Sequence, residues 1–318
     1  MQLNTPLYSK KAGRPWPWPL LAAAGLAAGV FLAGCATRPA PVPATPLEPP
    51  IAVQPAPKRP PRIALVLGGG AARGFAHVGV IQVLEQAGIK PDLVVGTSAG
   101  SLVAALYASG KSGAQLQQAA LSMAEAAFTD WTLPLFGRGM MRGDGLARYV
   151  NQQVAGRTIE AMPLRLGIVA TDLNSGQGVL FQRGDTGTAV RASSAVPAIF
   201  EPVRIAGHDY VDGGLVAPVP VDYARQMGAE LVIAVDISSP PEGNATDGTL
   251  QILLQTFAIM SKSINRYELR DADLVVRPPL NGVKSSDFAA RRHAIEAGRL
   301  AMRQLLPKLK QLIEAGAR

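Results

Sequence analysis

Residues 62–100 read RIALVLGGGAARGFAHVGVIQVLEQAGIKPDLVVGTSAG. Five apolar residues, Ile63 to Leu67, run straight into Gly68-Gly69-Gly70, and helical spacing follows through Val80, Val83 and Leu84 to Gly88. Such a run predicts a buried strand, and the glycines predict a tight turn into a helix. Leu93-Val94-Val95 predicts a second buried strand, followed by Gly96-Thr97-Ser98-Ala99-Gly100 and a helix carrying Leu102, Val103, Leu106 and Tyr107. Two strand–turn–helix units in succession predict adjacent parallel strands in a three-layer α/β domain. Further strands are expected near 165–171, 178–182, 208–211 and 231–236. The site should lie at the carboxyl ends of the first strands.

A glycine turn at a helix start aims backbone N–H groups at one point. Dinucleotide binding uses that device with G-x-G-x-x-G and an acid at the end of the next strand. Here the sixth residue counted from Gly68 is Arg73, and the nearby acid, Asp92, precedes the second strand. The other use is an oxyanion hole for acyl transfer. The G-x-S-x-G that follows favours it, because Gly96 and Gly100 permit a sharp elbow with the Ser98 hydroxyl at its apex. Ser98 then needs a base. His77 lies inside the first helix, where packing is expected. His208 sits at a presumed hairpin tip and His293 beside Arg291 and Arg292 on a C-terminal helix, and no histidine has an evident carboxylate partner. By contrast, Val211-Asp212-Gly213-Gly214 places an acid at the end of a short strand before two glycines.

GGGAARG (68–74), GTSAGS (96–101), SSAVPAIFEPV (193–203) and DGG (212–214), in that order, resemble the patatin-like phospholipases, with a match from about Arg62 to Ser238. The resemblance implies a three-layer fold with a mainly parallel central sheet flanked by helices. It also implies hydrolysis of lipid esters by a Ser–Asp dyad, Ser98 as nucleophile and Asp212 as proton acceptor, with no metal or cofactor. It places the oxyanion hole on backbone N–H groups of Gly69, Gly70 and Ala71. Many members carry glycine where this chain has Ala71, and alanine resists positive φ. Arg73 should brace the loop, help hold negative charge, or form a structural salt bridge.

Two rivals remain at this stage. One is an α/β-hydrolase triad of Ser98, Asp212 and His293; the other is a non-catalytic lipoprotein that binds acyl chains.

The rest of the chain reads as an address, a spacer and an extension. Lys10, Lys11 and Arg14 precede a 13-residue apolar stretch, Leu20 to Leu32, that ends in Leu32-Ala33-Gly34-Cys35. This pattern is similar to a bacterial lipoprotein signal over 1–34, with acylation of Cys35 and a lipid anchor in the cell envelope, at the outer membrane facing the periplasm. Residues 36 to 60 hold nine prolines and read as an extended spacer. A catalytic domain is expected over 61–240, with 241–318 packed on it as a strand and helical extension. Residues 128 to 141 read as a loop or lid lining an acyl channel, or as core packing. Asp144 and Asp172 read as structural acids. The apolar repeat Ile295, Met302 and Leu309 predicts a helix lying on the sheet with a solvated basic face, kinked or restarted at Pro307. Net charge is +8, and losing the three basic residues of the leader leaves about +5. That excess suits an anionic lipid surface, and no basic run interleaved with aromatics points to nucleic acid. The single cysteine, Cys35, excludes an intramolecular disulfide.

Overall fold

The computed structural model describes residues 59–123, 139–242 and 246–316. The leader, Cys35, most of the spacer and residues 128–138 of the apolar loop lie outside them. In chain order the elements are β1 (Ile63–Leu67), α1 (Ala76–Gln86), β2 (Leu93–Thr97), α2 (Ala99–Ala108), α3 (Gly113–Ser122), β3 (Gly139–Met141), α4 (Asp144–Gln153), β4 (Arg165–Asp172), β5 (Gly178–Phe181) and α5 (Thr186–Ser193). Next come β6 (Ala198–Phe200), β7 (Val203–Ile205), β8 (His208–Asp212), α6 (Val221–Gln226), β9 (Leu231–Val235), α7 (Thr249–Glu268), β10 (Leu274–Val276) and α8 (Arg291–Ala315).

Eight strands form one sheet in the order β10-β9-β1-β2-β4-β8-β7, with β5 on β4, and the first five of that order run parallel. β5, β8 and β7 join antiparallel. The central strands are buried on both faces, which is why they read as continuous apolar runs. Their side chains alternate between two cores. Leu65, Leu67, Val94, Ile233 and Val235 meet the helices α1, α2 and α8. Val66, Val95, Val232 and Ala234 meet Ala217 to Ala224 around α6. Helices therefore cover both faces, as the fold class requires.

All four further strands appear within a residue or two of the expected positions. Residues 139–141, at the end of the apolar loop, form β3 on β6. α8 packs along α1 through buried Ile295, Met302 and Leu309. The helix continues through Pro307 rather than restarting there, with buried apolar residues on both sides of the proline holding it to the core.

β4 decides where the site lies. Its residues 165–169 pair with β2 along one edge, and Ala170 to Asp172 pair with β8. Because Ile168 to Thr171 also pair with β5, β5 must take the opposite edge. β2 and β8 therefore lie end to end on the same edge of β4. Thr97 is opposite Val169 and Asp212 is opposite Ala170, one residue on, a step of about 3.3 Å.

Candidate active site

Ser98 follows Thr97 directly and caps α2 with φ 53 and ψ −126. Such a backbone is costly for a non-glycine residue and survives only where its surroundings enforce it. A β-carbon at Gly100 would collide with the Leu67 carbonyl, and one at Gly96 would collide with Gly100. The elbow is thus pressed against the end of β1 and has no room for side chains there. The Ser98 N–H donates to Ser193 Oγ at 2.8 Å, and Ser193 donates to the Val169 carbonyl at 2.6 Å. The Ser98 carbonyl accepts from the Ser101 hydroxyl at 2.6 Å. Ser193 is the bracing residue that motif reading missed; it opens the 193–203 segment of the family resemblance.

Asp212 ends β8, buried at 7 % exposure. The chain leaves it through Gly213, whose α-carbon lies so close to the Val169 carbonyl that a side chain would collide. Gly214 turns back and donates its N–H to Asp212 Oδ1 at 2.7 Å. Asp212 Oδ2 is buried and has no well-aligned hydrogen bond among the described residues. Burial pushes the carboxyl up to about 6; the adjacent Ser98 hydroxyl and the Gly214 N–H pull it back part of the way. The Ser98 hydroxyl thus acts directly on the carboxyl, a contact that can tighten when substrate binds.

The glycine loop lies beside the elbow: a β-carbon on Gly69 would sit 3.2 Å from Ser98 Cβ. Its amides are not all available. Gly68 donates to Val235 at 3.1 Å and Gly69 to the Pro218 carbonyl at 2.9 Å. Gly69 was expected as an oxyanion donor, and the Pro218 bond corrects that expectation. Among the described residues, no hydrogen bond is made by the Gly70 or Ala71 N–H. Ala71 takes φ 47, the left-handed conformation that alanine resists. Ala71→Gly should relieve about 1 kcal/mol of that strain, offset in part by added unfolded-state entropy. A thermal melt is expected to show an unchanged or slightly higher midpoint; a fall of several degrees would mean the loop needs the methyl group.

Arg73 is buried and spans four carbonyls: Ile237 (2.7 Å), Ser238 (3.0 Å), Leu280 (3.2 Å) and Val283 (3.0 Å). It braces the segments after β9 and after β10, and among the described residues no carboxylate bridges it. Gly74, buried, packs on Ala99 in the short 3-10 turn Ala71–Phe75. His77 donates from Nε2 to the Gly68 carbonyl at 2.8 Å, and burial drives it down to about 4, so it is neutral.

Neither of the other histidines reaches Asp212. His208 does have a carboxylate partner, contrary to expectation: its Nδ1 lies 2.8 Å from Asp172 Oδ2. The pair stands at the opposite end of β8 from Asp212, about 13 Å along the strand. Asp172 also accepts N–H bonds from Asn174 and Ser175, so it shapes a turn. His293 is exposed on α8. Asp144 pairs with Arg191 at 2.8 Å. Among the described residues, no group of three His, Cys, Asp or Glu could hold a metal ion.

Comparison with known proteins follows the same chemistry. The patatin-like phospholipase family model matches residues 65–225. An uncharacterised NTE family protein of Mycobacterium tuberculosis is 33% identical over 204 residues, 64% of this chain and 56% of that protein. Human patatin-like phospholipase domain-containing protein 6 is 37% identical over 231 residues, 70% of this chain but 16% of that protein. The chain thus spans about half the length of the mycobacterial relative and a small part of the human one. Among solved structures, VipD from Legionella pneumophila superposes with a TM-score of 0.47 at 15% identity, over 79% of this chain and 68% of that one. ExoU from Pseudomonas aeruginosa gives 0.47 at 18% identity, over 79% and 53%. With the family model covering half the sequence, from inside β1 to the end of α6 and through the elbow, the glycine loop and the Asp212 turn, the chain belongs to the patatin-like phospholipase family.

Proposed function

We propose that this protein hydrolyses carboxylic ester bonds of lipids, phospholipids or lysophospholipids, with Ser98 as nucleophile and Asp212 as its base. One observation carries the reading: strained Ser98 and buried Asp212 are held end to end on one edge of β4, with the Ser98 hydroxyl acting on the Asp212 carboxyl. In the proposed first step, Asp212 takes the Ser98 proton as Oγ bonds to the acyl carbon. The oxyanion is held by the Gly70 and Ala71 amides; one such donor is worth about 3–4 kcal/mol in acyl transfer. Collapse breaks the ester bond, and the leaving alcohol takes the proton from Asp212. Water, deprotonated by the same carboxylate, then releases the acid. The family supports lipid hydrolysis; the dyad and the substrate class are our reading.

The raised carboxyl gives the test a signature. The base must be ionised, so kcat/KM should climb tenfold per pH unit up to about pH 6 and level off above it. Stability runs the other way. A raised carboxyl binds its proton more tightly in the folded than in the unfolded chain, so Asp212 lowers stability as pH rises from about 4 to about 6. The experiment is turnover of phospholipid, lysophospholipid and short-chain p-nitrophenyl esters between pH 4.5 and 8, with Ser98→Ala as control. Equal turnover by Ser98→Ala would end the proposal, and a flat profile across pH 6 would remove Asp212 as base.

A further inference from the structure

We propose that the outward face of α7 is the surface on which this protein lies against an anionic phospholipid bilayer. α7 packs against the short turn Gly213–Leu215 that follows Asp212. Asn265 is its one buried residue among those described, hydrogen-bonded to Ser238 Oγ at 2.8 Å. Its outward side should be polar if it faced only water. Instead Ile252 (55 % exposed), Ile259 (51 %), Met260 (39 %) and Tyr267 (65 %) are open. At about 100° per residue these four fall within an arc of roughly 100°, turned away from Asn265. Of the seven large exposed hydrophobic residues described, these four lie together on one face of α7, while Leu254, the fifth on the helix, falls on the side of Asn265. The patch is therefore concentrated and not the usual scatter of apolar surface.

Charge selects the occupant. From Thr249 to Tyr267 there is no acidic residue; Arg266 is present, Lys262 is paired with Glu242 from the segment before the helix, and Arg270 stacks on the Tyr267 ring at 5.0 Å. Two copies meeting through this face would oppose like charges with no acid on the stripe to pair them. A lipid surface supplies phosphates to the cations, an interfacial layer for tyrosine and apolar depth for the isoleucines. α8 offers no such face, because Ile295, Met302 and Leu309 are spent on the core. Among the described residues no helix is long and apolar enough to cross a membrane, so contact through α7 would be parallel to the surface. Docking there would bring the Asp212 turn to the membrane, where an ester-bearing lipid resides; this part rests on the acyl-hydrolase reading.

The test uses the chain from residue 35 onward with Cys35→Ser in every sample, so that neither the apolar stretch Leu20 to Leu32 nor an acyl group at residue 35 can hold it. Flotation with vesicles of equimolar phosphatidylcholine and phosphatidylglycerol is compared for this protein and for Ile252→Ser/Ile259→Ser/Met260→Ser. The triple variant should bind roughly tenfold more weakly or worse, with an unchanged melting midpoint and unchanged turnover of a soluble short-chain ester. Separately, Ile259→Trp should shift its emission to the blue on addition of vesicles. Equal flotation of the triple variant would overturn the proposal. So would a dimer that the triple variant dissolves while vesicle binding persists, which would give the face to a second copy. If the unsubstituted surface floats through α7 but the protein cleaves no ester, the membrane face stands and the hydrolase reading falls.

Discussion

A fluorophosphonate probe should label this protein at Ser98, and Ser98→Ala should abolish labelling. Asp212→Asn is expected to slow labelling by a thousandfold or more, since general-base help is worth about 10²–10⁴ and the amide cannot take the proton. The same variant should be no less stable at pH 8. Lifting the carboxyl from 3.8 to about 6 favours its neutral form by about 3 kcal/mol, and asparagine removes the charge that burial opposes. Loss of reactivity with an unchanged or raised melting midpoint separates a chemical role from a structural one. His208→Ala and His293→Ala should keep most activity, because one pairs with Asp172 at the far end of β8 and the other is exposed on α8. Rapid labelling of Asp212→Asn, or a thousandfold loss in folded His293→Ala, would return the assignment to a histidine base.

Arg73→Lys is expected to be the most destabilising conservative change in the protein. The guanidinium holds four carbonyls from two segments, those after β9 and after β10, in one planar fork. An ammonium is a single point with three donors and cannot span them. Leaving buried carbonyls unpaired should cost about 3 kcal/mol, or roughly 6–12 °C in melting midpoint for a domain of this size. Labelling of Ser98 should also slow well below that midpoint, because Gly70 rests against Ile237 and would lose its backing. Hydrogen exchange at residues 280–285 should speed up, since Ala72 donates to Ser285 at 3.0 Å from the same loop. A midpoint within a degree of wild type would show that water serves these carbonyls as well as Arg73 does.

The local elements were legible because their causes are local. Ile63 to Leu67 and Leu231 to Val235 are apolar throughout, and a strand buried on both faces needs that and nothing more. Gly96 and Gly100 bracket Ser98 because a strand-to-helix elbow tolerates no side chain there, so the elbow serine could be placed from five letters. The missed strands are short. β6 and β7 have three residues each, too few for any periodicity to show. α7 carries apolar residues on its outward side as well as its packed side, which blurs the pattern that marks a helix.

Sequence by itself determined the strand–turn–helix units, the serine at the elbow and the aspartate before two glycines, each from residues adjacent in the chain, and, from its single cysteine, the absence of an intramolecular disulfide. Only the tertiary structure decided what depends on distant segments meeting. The pairing of β4 with both β2 and β8 brings Ser98 to Asp212 across more than a hundred positions. The Pro218 carbonyl takes up the Gly69 amide, and Asp172 claims His208. A hydrogen-bond donor looks the same in sequence whether it is free or used. Its partner is set by the packing of the whole sheet, and that packing fixes which amides, which carboxylate and which apolar face remain open for chemistry.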